Sequence, residues 1–174
     1  MATEKQVAFF KSLYDEELSR HGGLQERAKV YLTVITIYVG IVGLKIQDVA
    51  TLVTTFKVPY WLLLLVGVVV GIALLLTVNA IRIREFEAAA DPYEVAKEFK
   101  PAAPTDEAFF ASRIADYTVA TKKNREVNNK IGGRLHWAAV ALACAVGIHL
   151  LSMILALHHE LEIPVKPAQP AATK

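Results

Sequence analysis

The chain has 174 residues, 54% hydrophobic and 21% charged, and its apolar residues are gathered into blocks rather than interleaved with charge. That blocking excludes an ordinary soluble domain. The net charge of +2 is too small to point to nucleic acid, and the single cysteine, Cys144, excludes an internal disulfide and a cysteine-built zinc site.

The first 29 residues mix acids and bases without an early apolar core, so no signal peptide is expected. Residues 4–21 read as an amphipathic helix. Val7, Phe10, Tyr14 and Leu18 fall on one face, with Glu16, Glu17 and Arg20 away from it. Gly22 and Gly23 are expected to end this helix. It either lies on the membrane or packs on the cytoplasmic region, and a face that is not especially basic favours packing.

A first span has its apolar core at residues 30–44. About 20 apolar residues cross the hydrocarbon layer, so this core is short. Lys29 and Lys45 can snorkel outward, and the helix is expected to start near Leu24 and to run past Lys45. Lys29, Thr33, Thr36, Gly40, Gly43 and Gln47 recur at steps of three and four, which puts them on one face. That face either lines a conduction path or packs closely on another helix. Residues 51–57 form an outer loop or the frayed helix end.

Residues 58–81 make a second span with no charged side chain. Pro59 suits its first turn, and Tyr60 and Trp61 suit the interface belt. The first two spans then form an antiparallel hairpin. Gly67 and Gly71 have the spacing of close membrane helix pairs and would pack on Gly40 or Gly43 of the same chain, or between copies. Asn79 is an intramembrane polar candidate near the cytoplasmic end.

Asp91 and Pro92 start a short helix reaching about Phe99, broken by Pro101 and Pro104. Thr105 caps the next helix, with Asp106 and Glu107 in its first turn. Phe110, Ile114, Tyr117, Thr121, Asn124 and Asn128 share a face expected to bury against the N-terminal helix. Its asparagines would fix register or, less ordinarily, bind a ligand. The helix either kinks at Gly132 and Gly133 or runs on into a third span, residues 135–157. That span has two small-residue faces. One carries Ala139, Ala143 and Gly147, and the other carries Ala141, Ala145, His149, Ser152 and Ala156. His149 at mid-membrane would sense pH, relay a proton or line a pore, or else sit neutral on a hydrogen bond to Ser152, a threonine or a carbonyl. Cys144 reads as a packing residue. His158, His159, Glu160 and Glu162 read as a solvated helix end, because adjacent histidines chelate poorly. The proline-rich tail, 163–174, reads as extended.

Basic residues set the orientation. Five precede the first span (Lys5, Lys11, Arg20, Arg27, Lys29), only Lys45 and Lys57 lie in the hairpin, and ten lie between Arg82 and Arg134. This places the N-terminus and residues 82–134 in the cytoplasm and the C-terminus outside. The expected fold is an all-α integral membrane protein of three transmembrane helices. Its parts are an N-terminal amphipathic helix (1–23), a transmembrane hairpin (24–84), a cytoplasmic helical region (85–133), a third span (134–160) and a tail (161–174). No catalytic signature, metal motif or cofactor motif appears, so an enzyme is not expected.

The segments "LQERAKVYLTVITIYVGIVGL" and "KKNREVNNKIGGRLHWAAVALACAVGIHLLSMILAL" resemble those of small helical membrane effectors of bacterial antiphage systems, the SMODS- and SLOG-associated two-transmembrane effectors. The resemblance covers most of the chain. It departs in having three spans and no nucleotide-sensing domain, so a trigger would come from a partner. It implies an inner-membrane effector held quiet until activated. The expected function is therefore a homo-oligomeric effector or channel, with Thr33, Thr36, Gln47, Asn79, His149 and Ser152 as candidate intramembrane polar residues. The alternative is a non-conducting subunit that anchors a soluble cytoplasmic protein.

Overall fold

The computed structural model describes residues 2–55, 58–83, 86–89 and 106–162. Its described elements are all helices: α1 (Glu4–Leu44), α2 (Ile46–Thr54), α3 (Tyr60–Ile81) and α4 (Asp106–Glu162). Three of them, α1, α3 and α4, are long and apolar enough to cross a membrane. The expected short helix at 91–99, the Thr105 cap and the tail lie outside the described residues.

The glycine pair read in the sequence as a stop, and the pair read as either a kink or a continuation, are both helical throughout. α1 passes through Gly22 and Gly23, and α4 passes through Gly132 and Gly133. Neither Gly22 nor Gly23 takes the left-handed conformation that a glycine stop requires. Their neighbours explain the continuity, since His21 is hydrogen-bonded to α4 and Leu24 is buried, so the helix is held on both sides of the pair. Helical hydrogen bonding also runs on through Lys45, from the Lys45 N–H to Ile41 and from the Val49 N–H to Lys45. Residues 51–54 of the stretch read as an outer loop or frayed helix end are therefore part of helix α2. Pro59 sits one residue before α3, where its carbonyl accepts the Leu62 N–H at 3.0 Å.

Burial follows a heptad. On α1 every buried residue (Glu17, Leu24, Ala28, Ile35) falls on the series 7, 10, 14, 17, 21, 24, 28, 31, 35, 38, 42. On α4 the series 117, 121, 124, 128, 131, 135, 138, 142, 145, 149, 152, 156 takes in every buried residue except Arg113 and Ala120. Alternating steps of three and four give the 3.5-residue period of packed helix seams.

The contacts divide the chain into two compact units, Met1–Thr33 with Leu74–Ala138, and Val34–Ala73 with Ala139–Lys174. The first has a small apolar core of Leu24, Ala28, Ala80, Ile131 and Leu135. Here a Cβ on Gly132 would make an ordinary van der Waals contact with Leu24 Cδ2, 3.8 Å away. The second is built on Ile35, Val66, Val70, Ala73 and Ala145, with Val58, Leu62 and Ala156 beyond.

Candidate functional site

In the first unit the α1 seam carries a buried carboxylate. The sequence reading placed Glu17 away from the packed face and Leu18 on it. The structure reverses them, with Glu17 5% and Leu18 47% exposed. An i+3 step from Tyr14 continues the heptad where an i+4 step leaves it. The burial is sustained by partners on α4 and α1. Asn128 Nδ2 donates to Glu17 Oε2 at 2.9 Å and to the Glu17 carbonyl at 2.8 Å. Arg125 Nε donates to Oε1 at 2.9 Å, and Arg20 Nη1 lies 3.5 Å from Oε2. Burial alone would raise the Glu17 pKa. The bonds from Asn128 and Arg125 and the charges of Arg20 and Arg125 together outweigh it, and the carboxyl sits below its ordinary 4.5. Because Nδ2 of Asn128 is committed to Glu17, its Oδ1 is the acceptor facing His21 Nδ1 at 3.0 Å, so Nδ1 carries the proton.

Asn124 has another role. Its Oδ1 accepts the Glu87 N–H at 2.8 Å and its Nδ2 donates to the Glu87 carbonyl at 3.0 Å. A fully buried side-chain amide thus clamps both backbone groups of one residue. Lys123 pairs with the Glu87 carboxylate at 2.9 Å, and the Phe86 ring lies 4.8 Å from that of His21. Tyr14 takes the Ala89 N–H on its hydroxyl at 3.4 Å. Of the face read as Phe110, Ile114, Tyr117, Thr121, Asn124 and Asn128, the last three are buried and the first three half-buried, with Asn128 bonded to α1 and Asn124 to Glu87. Its asparagines are positioning groups, satisfied by the chain itself.

In the second unit Tyr38 Oη lies 3.3 Å from His149 Nδ1, with the rings edge to face. Tyr38 is a partner the sequence reading missed, although its place on the α1 heptad after Ile35 marked it as inward. Ser152 is fully buried and donates to the Ile148 carbonyl of its own helix at 2.9 Å, so it does not hold His149.

The two small faces of α4 part ways. Ala145, Ser152 and Ala156 are buried and Ala141 and His149 half-buried, whereas Ala143 and Gly147 are exposed and Ala139 is half-buried. The intrachain glycine packing is absent. A Cβ added at Gly40, Gly43, Gly67, Gly71 or Gly147 would meet nothing within 4 Å.

Thr33, Thr36, Gly40, Gly43 and Gln47 are all exposed, on the side of the helix away from the packed seam. Thr33 Oγ1 donates to the Lys29 carbonyl at 3.0 Å. Asn79 is exposed too, and its carbonyl accepts from Arg134 Nη1 at 2.8 Å. The structure thus separates the polar candidates into an inward pair, His149 and Ser152, and an outward set on α1 and the start of α2, with Asn79 near the end of α3. Comparison with protein-family models, curated proteins and solved structures returns no match.

Proposed function

We propose that the chain is a homo-oligomeric membrane protein whose copies meet along the outer face of α1 and which, once activated, permeabilises the bilayer or conducts across it. The defensive role implied by the resemblance to antiphage effectors belongs to the same proposal. The observation that supports it is the stripe that runs along α1 into α2. Residues 29, 33, 36, 40, 43 and 47 repeat the 3.5-residue step of the packed seam on the opposite side of the helix, and this side is open. Glycines there let a second backbone approach closely, and threonine and glutamine are better placed against protein or water than against lipid tails. A single copy offers three crossing helices, too few to enclose a water-filled path, so conduction requires several copies.

The test is dye release from vesicles holding the full chain, alongside membrane-potential readings in bacteria that express it. Release should climb more steeply than linearly with protein density. Thr36→Leu combined with Gly40→Leu should abolish it while the protein stays folded. Vesicles that remain tight at high density, together with unchanged potential in expressing cells, would overturn the proposal.

A further inference from the structure

Two recesses adjoin Tyr38 and His149 within the second unit. One, of about 320 Å³, runs along Leu63, Val66 and Gly67 of α3. The other, of about 300 Å³, runs past Ile41 and Met153 to Lys45 and Asp48. Both are lined by Tyr38, Val42, Val49 and His149, so they are arms of one fork. Among the described lining residues, polar side chains occur at two places. Both arms share the Tyr38–His149 pair. The second arm is also lined by the exposed ion pair of Lys45 Nζ with Asp48 Oδ2, 3.1 Å apart.

We propose that this fork binds a zwitterionic phospholipid bearing a primary amine, with its phosphate on Lys45 and its amine on Asp48 in the second arm and an acyl chain along the apolar wall of the first. An apolar arm and an arm lined by a charged pair, meeting at a polar pair, match a chain and a headgroup joined through one glycerol. An exposed ion pair contributes little by itself, and a headgroup with the same two charges replaces its contacts one for one. A purely anionic headgroup would set a negative charge against Asp48.

The fork supplies a donor as well. A neutral histidine and a tyrosine hold two polar hydrogens between them, and their mutual bond uses one, whichever tautomer is present. The other is left for an ester carbonyl. At Gly67 a Cβ would meet nothing within 4 Å, so an acyl chain can lie against the α3 backbone.

The test extracts the full chain from bilayers of equal phosphatidylethanolamine and phosphatidylglycerol in mild detergent and weighs it by native mass spectrometry. One phosphatidylethanolamine per chain should be retained, about fivefold over phosphatidylglycerol, the ratio of one exposed charge contact. Gly67→Leu, which fills one arm, should lose the lipid with helix content unchanged. Val49→Phe serves the same purpose should Gly67→Leu misfold. Asp48→Asn should keep a lipid but lose the preference. Equal retention of the two lipids by the unsubstituted chain, or retention untouched when an arm is filled, would overturn the site. The readout is independent of conduction.

Discussion

At the scale of residues, the first unit is held in register by buried amides and one carboxylate. Asn128 serves three groups; its loss takes one donor from the Glu17 carboxylate, which keeps Arg125 and Arg20, and leaves the His21 N–H without this acceptor. A hydrogen bond to a charged group contributes about 1.5–3 kcal/mol. Asn128→Ala should therefore destabilise the chain by about 2 kcal/mol in thermal or denaturant unfolding, and Asn128→Asp should be worse at pH 8 than at pH 5, because a second carboxylate then faces Glu17. The Glu17 pKa is lowered in the fold, so its contribution is complete above the ordinary value of 4.5 and is lost as pH falls through the lower folded value. Acid unfolding should steepen in that window, and Glu17→Gln should flatten it. Asn124→Ala should speed hydrogen exchange at the Glu87 amide, read residue by residue. Thr121 is the opposite case, since its buried hydroxyl has no partner among the described residues. Thr121→Val should stabilise by about 1 kcal/mol, and a measured loss would mean that the hydroxyl is bonded after all.

At the scale of elements, the helices were legible and their ends were not. Apolar blocks marked out three helices long and apolar enough to cross a membrane, because length and hydropathy are local properties. The Gly22–Gly23 stop failed because α1 is held on both sides of the pair by contacts with distant segments, Asn128 above all. Two exposed helical glycines each forgo about 0.5–1 kcal/mol relative to alanine. Gly22→Ala and Gly23→Ala should each raise unfolding stability by that amount, whereas a true break would make both neutral or harmful. Glu17 was misplaced for a similar reason. Hydropathy assigns an acid to the outside, and only the 3.5-residue phase, carried down from Leu24 and Ala28, brings it in. The same phase would have found Tyr38 opposite His149. The exposed placement of Thr33, Thr36, Gly40 and Gly43 was not legible at all, because a small polar stripe looks the same whether it meets its own chain or another.

At the scale of the whole molecule, the packing inside one copy uses one side of α1 and leaves the other open. Within lipid, apolar burial does not drive helices together, and close backbone approach with satisfied polar groups does. Cysteine crosslinking in native membranes, with Cys144→Ser as background, tests that use of the open side most directly. Thr36→Cys on the stripe is compared with Ile72→Cys, which is also exposed but lies on α3. The account expects covalent dimers at Thr36→Cys and monomers at Ile72→Cys. Monomers at Thr36→Cys with dimers at Ile72→Cys, or monomers at both, would contradict it.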